Sequence, residues 1–181
     1  MINEFPTLYT ERFKLRKVEL EDARDILNIY STNHVTKYIP LDTFKTIKDA
    51  EDEISWHHSI FEENTGLRFG IAEKDTDRII GTCGFLDYEA RHRRAELGYD
   101  LAYEFWGKGI MTEIVREVVR FGFEVLNLNR IEARIEPPNS ASRNLLKKLG
   151  FVKEGTLREF EWNDGETLDL EVFSKLKKEH K

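Results

Sequence analysis

Between Ala95 and Leu126 the hydrophobic period of this chain changes once, across Trp106-Gly107-Lys108-Gly109-Ile110-Met111-Thr112. Upstream, Ala95, Leu97, Tyr99 and Leu101 alternate with Glu96, Gly98 and Asp100, the two-residue repeat of a strand. Downstream, Ile110, Ile114, Val115, Val118, Val119, Phe123 and Leu126 recur at helical spacing and give one broad apolar face. A strand must therefore hand over to a helix within a few residues, and two glycines at the joint permit torsions that other residues resist. They also leave nothing over the free N–H donors of the first helical turn. Those donors and the positive end of the helix dipole form an anion site. A phosphate or pyrophosphate is the leading ligand class for this point, Gly107-Lys108-Gly109-Ile110-Met111-Thr112. The same glycines would also serve a plain tight turn, and Lys108 is either a phosphate contact or a solvated side chain. A Walker-type phosphate loop is excluded, because it needs four residues between its glycines and a Lys-Ser or Lys-Thr pair after the second.

Length and composition narrow the class further. A chain of 181 residues suits one domain, 1–181, with a substantial core. No apolar run approaches the roughly 20 residues that span a bilayer, and the N-terminus lacks the basic flank and apolar core of a signal peptide. A cytoplasmic location is expected, with no membrane contact. The single cysteine, Cys83, allows no internal disulfide, and its apolar run Ile79–Leu86 reads as a buried strand rather than a nucleophile's setting. No cluster has metal-ligand spacing, so no metal is expected. The net charge of −6 argues against direct nucleic-acid binding and is compatible with a cationic or amine-bearing partner.

The rest of the chain reads as alternating elements without repeats or linkers. Phe13–Val18 alternates as an opening strand, and a helix is expected over Leu20–Tyr30. A second helix runs from about Thr46 to Asn64, ending near Gly66. Strands at 68–73 and 78–86 flank the polar turn Lys74–Asp77 and read as a hairpin of uncertain register. After the glycine joint come a strand at 131–135, the stop Pro137-Pro138, and a helix from its cap Asn139 to Leu149, closed by Gly150. Phe151-Val152 and Leu168–Lys175 suggest two last strands about the turn Asn163-Asp164-Gly165.

A strand, a short glycine loop, a helix, a strand, and then Asn139-x-x-Ser142 opening a helix that ends Lys148-Leu149-Gly150-Phe151 form a specific order. That order resembles the GNAT superfamily of acetyl-CoA-dependent N-acetyltransferases. The likeness extends from Leu15 to Leu176 and is closest to the branch containing ribosomal-protein N-terminal (alanine or serine) and spermidine acetyltransferases. It implies an α/β (α+β) GNAT fold, with a central mixed, mostly antiparallel sheet of about seven strands flanked by about four helices. It also implies acetyl-CoA as cosubstrate. The family's pyrophosphate loop opens with Gln or Arg; here that place is Glu104, which removes one cationic contact but not the backbone donors. The strand at Leu97, Tyr99 and Leu101 would pair its backbone with the peptide-like pantetheine arm, as an exposed edge pairs with another strand. Asn139 would lie beside that arm as well as capping its helix.

For the chemistry, many relatives use a tyrosine four residues beyond Ser142 to protonate the departing thiolate, and that place is Leu146 here. In the ribosomal-protein branch a serine at the Ser142 position is thought to do this work; the alternative is a helix-surface serine with no role. An alkyl amine is mostly protonated near pH 7, so a carboxylate must collect its proton. Glu161 aligns with a glutamate implicated in the same branch and is preferred over Glu96, whose ordinary reading is an outward-facing strand residue. A backbone N–H around Leu97–Tyr99 would hold the developing oxyanion. His57, His58 and the aromatics Trp56, Tyr88, Trp106 and Trp162 read more readily as packing than as ligands. The resulting expectation is direct acetyl transfer in a ternary complex to a primary amine, first a protein N-terminus such as that of a ribosomal protein. Alternatives are a polyamine or aminoglycoside-like acceptor, and a non-catalytic CoA-binding module favoured by Glu104 and the missing tyrosine. An exposed edge strand could also serve a homodimer.

Overall fold

A computed structural model describes residues 2–163 and 165–180, and one eight-stranded sheet organises them. In chain order the elements are β1 Leu8–Tyr9, β2 Phe13–Arg16, α1 Ala23–Tyr30, α2 Asn33–Thr36, α3 Ile47–Glu62, β3 Leu67–Glu73 and β4 Ile79–Glu89. Then come β5 Arg94–Leu101, α4 Ile110–Glu124, β6 Arg130–Ile135, α5 Ser140–Lys148, β7 Val152–Asn163 and β8 Glu166–Leu176. The sheet order is β1-β2-β3-β4-β5-β6-β8-β7, and every neighbouring pair is antiparallel except β5 with β6.

This is the mixed, mostly antiparallel sheet that the family resemblance implies. The strand beyond the expected seven is β1, and the helix beyond the expected four is α2. Two and four residues are too short to carry a readable period. The 67–89 hairpin has its register set with one shift at Ile71/Ala72. Strand β7 runs far past Val152, to Asn163, with nearly every residue exposed, so no apolar alternation marks it. Of the expected last turn, Asp164 lies outside the described residues, while Gly165 holds a φ of +85°.

Two apolar layers hold the sheet. The helical face foreseen for α4 is buried: Ile114, Val115, Val118 and Phe123 pack with Phe69, Phe85 and Leu97 of the strands and with Leu146 of α5. Ile26 and Ile29 of α1 join Ala50 and Ile54 of α3 in a second cluster with Ala72 and Ile79. Helix α3 begins with a reciprocal cap, in which Asp49 N–H donates to Thr46 Oγ1 and Thr46 N–H donates to the Asp49 carboxylate. Helix α5 begins with Asn139 Oδ1 accepting the Ser142 N–H at 3.1 Å. No described helix is long and apolar enough to cross a membrane.

Candidate active site

The single parallel pair creates the site. Strands β5 and β6 are bonded only at Arg94, Ala95 and Glu96 opposite Arg130, Ile131 and Glu132. Beyond Glu96 they separate: β6 stays paired with β8 up to Ile135, while the edge of β5 from Leu97 to Leu101 has no strand partner on that side among the described residues. A cleft of about 480 Å³ lies at the split. Its walls include Glu96, Leu97, Gly98 and Tyr99 of β5, Arg134 and Glu136, Asn139 and Ser142, Glu161, and Tyr38, Glu53 and Trp56.

Past the end of β5 the polar groups on offer are those of the backbone. Gly107 and Gly109 hold φ of +73° and +72°, the left-handed region, and Gly109 is the N-cap of α4. A Cβ placed on either glycine would meet nothing within 4 Å, so the loop is open above its backbone. The first-turn N–H groups of Ile110, Met111 and Thr112 have no intrahelical acceptor. Lys108 Nζ lies over the Phe105 ring at 5.2 Å, and Glu104 is paired to Arg78 at 3.2 Å. Leu101 ends the exposed edge, its carbonyl accepting the Trp106 indole N–H at 2.7 Å.

Within the cleft the chemistry is in side chains. Alternation along β5 puts Ala95 and Leu97 in the core, so Glu96 opens instead into the cleft. Burial pushes its carboxyl up to about 7. Arg134 opposes this at 3.0 Å, while Asp87, Glu132 and Glu161 reinforce it. Burial and three like charges outweigh the single cation. Glu161 reaches the same cleft through an irregular register: Leu157 faces Leu170 and Glu161 faces Leu168, leaving Arg158, Glu159 and Phe160 opposite Asp169 alone. Glu159 holds a φ of +51° there, and its N–H donates to Asp169 Oδ1 at 2.8 Å. Glu136 is also held above the usual carboxylate range, by burial and by Glu161.

Several groups were not foreseen from the sequence. Arg68 and Asp100 form a buried ion pair at the cleft, joined by Tyr30 and Thr82, with the Tyr30 hydroxyl 3.1 Å from both Asp100 Oδ2 and Thr82 Oγ1. Gly98 makes room for it, since a Cβ there would come within 2.6 Å of Arg68 Nη1. The signal was present: an arginine inside the apolar run Leu67–Ala72 must be paired if it is buried. His57 is fully buried with Nε2 3.1 Å from Glu53 Oε1, and His58 Nε2 lies 2.7 Å from the Val18 carbonyl oxygen; neither lines the cleft. Trp56 lines it, whereas Trp162 is exposed beside Glu161. The Cys83 thiol is buried and pushed up to about 12, as suits a packing group. Among the described residues no group of histidine, cysteine and carboxylate side chains could hold a metal ion.

A split beside a parallel strand pair, on a chain whose β5 leads through a left-handed glycine turn into a helix, is the arrangement that the resemblance to acetyl-CoA-dependent transferases implies. Residues 12–152 match the family described as the acetyltransferase (GNAT) domain, and the chain belongs to that family. It is an N-acetyltransferase, which removes the non-catalytic module from consideration. The chain is 46% identical over 174 residues to the uncharacterized N-acetyltransferase p20 of Bacillus licheniformis, covering 96% of this chain and 98% of the relative. It is 37% identical over 180 residues to the putative ribosomal N-acetyltransferase YdaF of Bacillus subtilis, with 97% of each chain covered. Among solved structures it is similar to the ribosomal-protein-S5-alanine acetyltransferase of Vibrio fischeri, at a TM-score of 0.83 and 28% identity, covering 97% of this chain and 99% of that one.

Proposed function

We propose that this enzyme acetylates the α-amine of a protein N-terminus, with a ribosomal protein as the leading acceptor and acetyl-CoA as donor. The observation that carries the reading is the convergence of Glu96 and Glu161 on the strand split that Ser142 also lines. The residues fit the donor. The open glycine turn and the α4 N–H groups suit a pyrophosphate, the free edge of β5 suits a peptide-like arm, and Asn139 lies beside it. When bound, acetyl-CoA supplies an activated acetyl thioester.

The chain's own groups then divide the work. A carboxyl poised near 7 is half ionised at neutral pH, so Glu96 is the base that takes the ammonium proton of the acceptor. The expectation from resemblance favours Glu161. Its supporting role here is to keep Glu96 basic by adjacent charge and to attract the cationic amine. The Ser142 hydroxyl is the donor at the thiol end, because Leu146 is fully buried in the core and brings no acid to the cleft.

A small polyamine is the second reading, supported by the excess of carboxylates, Glu53, Glu96, Glu136 and Glu161, over Arg134 once Arg68 and Asp100 are set aside as a pair. Thiol release from acetyl-CoA against N-terminal peptides of ribosomal proteins, their N-blocked forms and spermidine separates the two. Turnover with free peptide N-termini alone supports the first reading; turnover with spermidine alone replaces it.

A further inference from the structure

The guanidinium of Arg68 is held at two of its three nitrogens. Nε donates to Thr82 Oγ1 at 3.1 Å, Nη2 donates to Asp100 Oδ2, and the Tyr30 hydroxyl lies within hydrogen-bond distance of both acceptors. Nη1 makes no hydrogen bond among the described residues. Arg68 is only 6% exposed, and it lines the cleft. A guanidinium carries five N–H donors, and buried donors are nearly always matched.

The uncommitted nitrogen lies over Gly98. On β5, Glu96, Gly98 and Asp100 share the face opposite the core side chains of Ala95, Leu97 and Leu101. A Cβ on Gly98 would stand 2.6 Å from Nη1, yet Gly98 has none of the positive φ angles that call for glycine elsewhere in the chain. What the missing side chain provides is room for a donor between Glu96 and Asp100, in the wall of the cleft. Asp100 balances the charge of the guanidinium, so Nη1 offers the cleft a hydrogen bond rather than net charge. Its match is a neutral oxygen acceptor.

We propose that Arg68 is a specificity-determining residue: its Nη1 donates to the carbonyl oxygen of the acceptor's first residue, while Glu96 takes the proton of that residue's α-amine. Amine nitrogen and carbonyl oxygen of one residue are three bonds apart. Glu96 and Gly98 are successive positions on one strand face, with roughly 7 Å between their Cα atoms, so both ends of one α-aminoacyl group come within reach. A polyamine has methylene groups at that place and leaves Nη1 desolvated and unpaired, which is costly for a buried polar group. This inference rests on the N-terminal reading given above and supplies its selection against polyamines.

The test uses the full-length enzyme and two matched acceptors, a peptide with a free N-terminal alanine and its analogue in which the first peptide bond is a neutral, planar (E)-alkene. The analogue keeps the amine and lacks the carbonyl oxygen; kcat/KM is referred to the neutral amine in each case. The parent should prefer the amide on the order of 10- to 100-fold, the worth of a hydrogen bond to a charged group. G98A, whose Cβ displaces Nη1, and R68M/D100N, which removes both partners so that no charge is stranded, should each cut that preference to roughly threefold or less. Thermal melting identifies a variant that fails to fold; the other variant and the parent's own ratio then decide. If the alanine peptide is turned over without any amide preference, the Arg68 assignment fails and the N-terminal reading stands. If spermidine is turned over and the peptide is not, the N-terminal reading fails and takes this one with it. A preference kept in full by folded variants would give the carbonyl to another donor, and equal losses on both acceptors would put Nη1 on the acetyl carbonyl. Either result overturns the proposal.

Discussion

The proposed donor wall follows one continuous stretch, residues 97–112, whereas the proposed acceptor wall is assembled from Tyr38, Glu53 and Trp56, Glu96, Arg134 and Glu136, and Glu161, all lining the cleft. The first wall works through backbone: a free strand edge, two left-handed glycines and the N–H groups of α4. The second works through side-chain charge, set by burial and by neighbours several elements apart. A backbone wall should tolerate most side-chain changes and fail when its torsions are disturbed. A side-chain wall should fail at single atoms. The difference can be tested by asking whether variants on the two walls damage different kinetic quantities.

The largest effect should come from the acceptor wall. Glu96→Gln removes the base while keeping its shape, and kcat should fall on the order of 10²–10⁴-fold with acetyl-CoA affinity unchanged. A variant that kept its kcat would move the base to Glu161. The same change has a stability consequence of opposite sign. Burial raises the Glu96 carboxyl above its unfolded value, so the folded state holds the extra proton and stability falls as pH rises from about 4.5 to about 7. Thermal melting at pH 8 should therefore show E96Q to be more stable than the parent.

The donor wall should give the next effect. Gly109→Val forces a β-branched residue to a φ of +72°, at a cost of at least about 1–2 kcal/mol when the loop keeps its shape. Acetyl-CoA affinity should drop roughly tenfold, with kcat at saturation little changed, and calorimetric binding with initial rates would show it. Equal damage to affinity and kcat would mean that the two walls are not separable.

The contrast also explains what could be read from the sequence. The donor wall was legible because period and glycine placement are local: residues 95–101 alternate, residues 110–126 recur at helical spacing, and Gly107 and Gly109 mark the joint. Of the acceptor wall, only Glu161, by family resemblance, and Glu96, as its competitor for the base, were legible. Strand β7 has no apolar face to betray it, and its irregular register depends on pairing with Asp169, ten residues from Glu159. The exposed reading of Glu96 was natural from alternation, because nothing in Ala95-Glu96-Leu97 says that the opposite face of β5 lines a cleft rather than solvent. His57 and the Arg68–Asp100 pair were hidden for the same reason, since burial of a charge is a property of the packed sheet.

A smaller effect follows from the electrostatics of the acceptor wall. The acid limb of the kcat/KM profile should lie near pH 7 for the parent and vanish in E96Q. Glu161→Gln removes a charge that helps to raise Glu96, so the limb should move to lower pH; Arg134→Gln removes the opposing cation and should move it to higher pH. Shifts in the same direction for both variants would detach the limb from Glu96.

The smallest effect should be at Glu104, on the donor wall, although this is where the loop departs most visibly from the family pattern. Glu104 is exposed and paired with Arg78 at 3.2 Å, a surface interaction worth about 0–1 kcal/mol. Its carboxylate is occupied by that partner, while the donors proposed for the pyrophosphate are the N–H groups from Gly109 to Thr112, which no side chain supplies. Glu104→Gln, restoring the family's residue, should therefore raise acetyl-CoA affinity by less than about threefold at ordinary salt. A gain of tenfold or more in calorimetric titration would show that side-chain charge governs this wall too. The difference between a backbone donor site and a side-chain acceptor site would then collapse at the position that first distinguished this chain from its family.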